Sequence, residues 1–103
     1  PYTTLFRSNP MTELTWDARR PDPPNIKNSW RRMFKGTEVI GVLYRFEKRW
    51  HFALAVEWLR VATHLNYVEW TDISEDAAEQ FCIQIVLDGI AADAAKRLGD
   101  TEV

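Results

Sequence analysis

The stretch Phe81-Cys82-Ile83-Gln84-Ile85-Val86-Leu87 sets the tightest limit on how this chain folds, because nearly every side chain in it is apolar. Alanines flank it at Ala77-Ala78 and again from Ala91 to Ala95, and alanine is the strongest helix former. That pattern predicts a helix over about 73–98. Asp72 can cap it, with Glu75 three positions later as in a capping box. Glu75, Asp76 and Glu79 put negative charge in the first turns, Lys96 and Arg97 put positive charge near the end, and Gly99 can close it. The rival reading is a strand over 80–87 turning at Asp88-Gly89, and the alanine flanks favour the helix. A helix apolar on every side must be covered on every side. One neighbouring helix cannot cover it in a chain of 103 residues, so the expectation is a homo-oligomer built on this helix.

Upstream, Leu54, Ala55, Trp58, Val61, Ala62 and Leu65 fall three and four apart, which predicts a helix over 48–65 ending at Asn66. Residues 38–46 favour β structure, with Ile40, Val42, Tyr44 and Phe46 alternating on one face. The partner for that strand would be the Glu13–Trp16 stretch or the same strand of a second chain. A helical stripe through Ile40, Leu43, Glu47, Trp50 and Leu54 is the competing pattern. Ser29 can cap a short helix from Trp30 to Lys35 that Gly36 ends. Pro21, Pro23 and Pro24 make residues 17–29 an irregular arm. The expected fold class is therefore mainly α: irregular N-terminal arm, short helix, one strand at about 38–46, and an antiparallel helix pair at about 48–65 and 73–98. An all-α helical hairpin is the alternative.

The first eight residues, Pro1-Tyr2-Thr3-Thr4-Leu5-Phe6-Arg7-Ser8, resemble the translation of a common sequencing adapter. Residues 1–10 are accordingly read as a non-native or disordered head and 11–103 as one small domain, with Met11 the natural start and environmental DNA the source. An apolar content of 46% and a charged content of 27% fit a globular chain. The lone Cys82 cannot form an internal disulfide, and no apolar run reaches the length that spans a bilayer. The expected location is the cytoplasm, with no membrane partner.

Charge is strongly segregated. Residues 1–60 hold 11 Lys/Arg against 6 Asp/Glu, whereas residues 61–103 hold 2 against 9. Aromatic residues are interleaved with the basic run, Trp30, Phe34, Tyr44, Phe46 and Trp50 among them. Guanidinium groups grip phosphate oxygens in pairs, and aromatic rings stack on bases. Trp30, Arg31, Arg32, Phe34, Lys35, Arg45, Lys48 and Arg49 are therefore the candidate ligand-binding residues, for a phosphate-bearing nucleotide or an acidic protein surface. The competing reading pairs these charges with the acidic C-terminal half, within one chain or between chains.

Other chemistry is sparse. His51 and His64 lie thirteen positions apart without the further ligands a zinc site draws on, so neither metal nor cofactor is expected. Cys82 sits among Phe81, Ile83 and Ile85, the setting of an inert core thiol. Asp88 needs a partner if buried, and Gly89 permits close helix–helix approach. Glycine-rich phosphate loops and nucleophile elbows do not occur. These observations favour a non-enzymatic binding protein acting as a homo-oligomer, with a viral or mobile-element anti-defence role as the most specific version. A strand followed by two helices also resembles, in topology, the ribbon–helix–helix DNA-binding dimers. That resemblance implies a nucleic-acid-binding regulator, against which the pI of about 5.7 weighs. The third possibility is a purely structural assembly protein.

Overall fold

From Trp30 to Leu54 the side chains of each strand alternate between two faces, and the chain over 29–54 runs as three antiparallel strands joined by tight turns. A computed structural model describes residues 3–4, 13–17, 20–21 and 29–102, with side chains over 13–17 and 30–99. The elements are β1 (Thr3–Thr4), β2 (Leu14–Trp16), β3 (Arg20–Pro21), β4 (Ser29–Lys35), β5 (Glu38–Phe46), β6 (Arg49–Leu54), α1 (Glu57–Thr63), β7 (Tyr67–Thr71) and α2 (Glu75–Glu102). The sheet is antiparallel throughout in the order β1-β2-β4-β5-β6-β7, with β3 pairing β4 on the same side as β2. The chain is an α+β protein.

This overturns the mainly α expectation and its all-α alternative. Trp30–Lys35 is strand β4 rather than a short helix, and Gly36 closes a β4–β5 hairpin at φ 64° instead of ending a helix. The predicted helix over 48–65 splits, because Arg49–Leu54 pairs residue by residue with β5 and only Glu57–Thr63 is helical. That helix ends at His64, in a left-handed conformation, rather than at Asn66. The strand predicted at 38–46 is present as β5, but its neighbours are β4 and β6 of the same chain. Leu14–Trp16 joins the sheet beside β4. At the C-terminal helix, the capping role falls to Ser74, whose Oγ accepts from the Ala77 amide at 3.1 Å, while Asp72 takes a left-handed turn conformation. The head over residues 1–10 and most of the irregular arm lie outside the described residues, apart from the short pairings of β1 and β3.

Both helices lie on one face of the sheet. Ala78, Cys82 and Val86 of α2 and Leu59 of α1 pack onto Leu14, Trp16, Met33, Ile40, Leu43, Phe52 and Leu54. Large apolar side chains buried in this way stabilise the fold by roughly 1.5–3 kcal/mol each. Gly41 and Gly89 make the packing possible. A methyl at Gly41 would collide with the Phe52 ring across the strand, and one at Gly89 would collide with Leu59 and Thr63 of α1. The close helix approach expected of Gly89 is thus present. A bulge opposite Met33 and Phe34 leaves Ile40 without a direct partner in β4, while its carbonyl accepts from the Ala55 amide at 2.9 Å, and Ile40 and Gly41 are both buried.

The physical reason given for a homo-oligomer also needs correction. A sheet, not one helix, covers the apolar middle of α2, while α1 covers it near Gly89. Its outer side is polar, with Gln80, Gln84 and Asp88 all exposed and Gln84 donating to Asp88 at 2.8 Å.

Candidate functional site

Strand geometry sends neighbouring residues to opposite faces, and it divides the basic–aromatic segment in two. Arg31 turns toward the helices. Its guanidinium lies 4.8 Å from the centre of the Trp16 ring and forms ion pairs with Glu75, at 3.2 Å, and with Glu79. Arg32 turns the other way, pairing with the buried Asp17 and lying 5.2 Å over the Phe34 ring. The two arginines therefore do not form one grip for a phosphate. Lys35 lines a groove with Glu38, Trp58, Ile90, Asp93 and Arg97. Arg45 and Lys48 are exposed at the β5–β6 hairpin, Arg45 5.9 Å from the Trp50 ring, and Arg49 is 3.7 Å from Glu69.

On the face turned away from the helices, the strand registers build rows of side chains. Phe46, Arg49 and Thr71 form the row nearest the hairpin. Trp30, Tyr44, His51 and Glu69 form the next, and Arg32, Val42, Ala53 and Tyr67 the one after. The Tyr44 and His51 rings are stacked 4.8 Å apart and only 6° from parallel, and Tyr67 stacks on His51 at 5.7 Å. Separation by one strand spacing makes these rings stand like plates on the sheet.

Their polar edges are linked. The Tyr67 hydroxyl donates to Glu69 Oε2 at 2.9 Å and lies 2.8 Å from His51 Nδ1. One hydroxyl has one proton, so with that proton on the carboxylate the His51 Nδ1 must be the donor toward Tyr67. His51 Nε2 is buried and has no hydrogen-bond partner among the described residues. Loss of solvent, then the hydrogen bond to Glu69 and its negative charge, hold the Tyr67 hydroxyl above its usual range. At the hairpin, Glu47 and Lys48 both adopt left-handed backbone, with φ of 53° and 67°. Hairpins ordinarily place Asn-Gly there, since a residue with a Cβ in that conformation costs about 1–2 kcal/mol.

Sequence reading singled out Trp30, Arg32, Phe34 and Arg49, and the structure brings all four to this face. It missed His51, Tyr67 and Glu69 as members of a site. The alternation Arg49-His51-Ala53 was the available signal, hidden by the helical spacing assigned to the same residues. His64 is exposed at the end of α1. Burial pushes the Cys82 thiol far up, as expected of an inert core cysteine. Among the described residues, no cluster of three or more His, Cys, Asp or Glu is arranged to hold a metal ion, and no helix is long and apolar enough to cross a membrane. Set against known families, curated proteins and solved structures, the chain matches no family model, no curated protein and no solved structure.

Proposed function

We propose that the chain is a non-enzymatic binding protein that holds a phosphate-bearing nucleotide on the helix-free face of its sheet, at the β5–β6 hairpin. The observation that carries this reading is the union of open rings and cations there. Phe46, 50% exposed, stands beside the exposed Arg49 in the row at the turn, where Lys48 is exposed too, and Tyr67, 46% exposed, lies two rows further along the same face. Such rings offer stacking surfaces for a base, and the cations offer charge for phosphate oxygens. The left-handed Glu47-Lys48 turn supports it, because backbone strain tends to persist where side chains have work to do.

Isothermal calorimetry with a panel of mono- and dinucleotides tests the proposal. The native chain binds at least one of them, and a Lys48→Ala/Arg49→Ala pair weakens that binding tenfold or more, about 1.4 kcal/mol. Absence of heat from the native chain across the panel removes the nucleotide reading. Association of copies through α2 is a second reading, favoured by the exposed apolar side chains of that helix, Leu98 at 67% and Phe81 at 45%. Sedimentation of the same samples gives the number of copies.

A further inference from the structure

β7 ends the sheet, and among the described residues no strand pairs with its outer side. A strand edge of this kind presents unpaired N–H and C=O groups to any extended chain that reaches it. Natural sheets guard their edges with lysine, proline, bulges or very short strands. Tyr67-Val68-Glu69-Trp70-Thr71 has neither lysine nor proline, and it pairs with β6 in unbroken register over five residues. The edge carries no bulge, and its one charged side chain is Glu69.

Two features beside the edge define what fits it. On the helix side, Trp70 stacks on Phe81 with ring centres 5.6 Å apart, and Phe81 keeps 45% of its surface exposed, which leaves an apolar shelf along the strand. On the other side stands Glu69, and exposed Asp72 and Asp76 follow it toward α2. Between Arg60 and Lys96 the chain contains no Lys or Arg, so the rim is acidic apart from Arg49 of β6, which lies 3.7 Å from Glu69. A second copy of β7 is a poor occupant. Antiparallel self-pairing about the strand centre would set Glu69 opposite its own counterpart, and like charges directly opposed across a pair are destabilising.

We infer that the β7 edge accepts an extended segment of another protein by strand addition, one whose side chains alternate between apolar and basic. Backbone hydrogen bonds supply affinity in this mode, and the alternate side chains supply selectivity. Apolar residues of the segment pack on Trp70 and Phe81, and basic residues meet Glu69. This surface adjoins the nucleotide site proposed at the hairpin, since Tyr67 belongs to β7 and Glu69 lies 3.7 Å from Arg49, but the shelf of Trp70 and Phe81 is on the opposite face and tells the two apart.

The test uses the intact chain and a synthetic heptapeptide of alternating valine and lysine, followed by amide hydrogen exchange and NMR titration. Binding is expected to slow exchange of the outward-facing β7 amides at least tenfold. The same peptide N-methylated at the residues facing β7 should bind at least tenfold more weakly, and so should a version with glutamate in place of lysine. Phe81→Ala, checked for an unchanged fold by its NMR spectrum, should weaken the valine–lysine peptide about fivefold and leave nucleotide binding untouched. Equal binding of the N-methylated peptide, protection confined to other strands, or no binding of the parent peptide overturns the inference.

Discussion

Arg31 and Arg32 are adjacent in sequence and opposite in the fold, and the contrast between them is the contrast between the two faces of the sheet. Arg31 lies under α2 with an aromatic ring on one side and two carboxylates on the other, its side chain only 14% exposed. Arg32 stands on the face without helices, 34% exposed, and pairs with the carboxylate of Asp17. One face is closed, with charges neutralised inside it. The other keeps rings, a histidine–tyrosine–glutamate chain and hairpin cations within reach of solvent. The acidic C-terminal half therefore does meet the basic N-terminal half within one chain, through Arg31 on the helix side of the strands and through Arg49 beside Glu69 on the open face.

The sharpest way to break that comparison is to remove each arginine in turn. Arg31→Ala strands Glu75 and Glu79 in a largely dry setting, and loss of one partner from such a group costs about 3 kcal/mol. Arg32→Ala leaves a single carboxylate short of its arginine, but Asp17 is only 3% exposed, so the loss should still be about 2 kcal/mol. Urea unfolding of both variants measures the difference. Equal losses would mean that the two faces do not differ in the way described.

Alkaline pH separates the faces by a second route. The Cys82 thiol, buried under the sheet, is pushed above its ordinary value of 9.0, so the unfolded chain releases that proton first. A raised pKa contributes stability that is complete below the unfolded value and is lost as pH rises. Between pH 9 and 10 this amounts to about 1 kcal/mol for one fully protected group. Tyr67 has the same sign but starts from 10.0, so its loss begins higher. Unfolding free energies across pH 8–11 should therefore decline from about pH 9, and Cys82→Ala should delay the decline to the tyrosine range. A native profile that stays level through pH 10 would argue that the thiol is not sealed in the core.

Some of this was legible in the sequence. The C-terminal helix was, because its alanine flanks and graded charges agree with each other, and so was the strand at 38–46. The strand β4 was not. Ser29 and Gly36 punctuate a helix as readily as a strand, and each face of Trp30-Arg31-Arg32-Met33-Phe34-Lys35 mixes basic with apolar residues, so its two-residue period is masked. The strand β6 was lost for a different reason. Leu54 belongs both to the alternation Trp50, Phe52, Leu54 and to a helical spacing that continues through Trp58, Val61 and Ala62. Only the break at Ala55 and Val56 divides strand from helix there. The candidate site suffered from both errors, since reading a helix where two strands run puts Tyr44, His51 and Tyr67 on no common surface.

The turn between β5 and β6 had no signal at all, and it offers the smallest and most specific test of the open face. A two-residue hairpin with both residues left-handed suits Asn-Gly, but here it holds Glu47 and Lys48. Glu47→Asn with Lys48→Gly relieves the crowding around two Cβ atoms and gives back part of that gain as glycine's extra freedom in the unfolded chain. The net should be a stabilisation of about 0.5 kcal/mol, read as a small rise in the urea midpoint at unchanged slope. If the hairpin cations hold a ligand, the same variant should bind nucleotide more weakly although it folds better. Opposite movement of stability and binding would mark the turn as shaped for its side chains. A variant that gains stability and keeps full binding would assign the charged turn no part in recognition and leave the stacked rings to act alone.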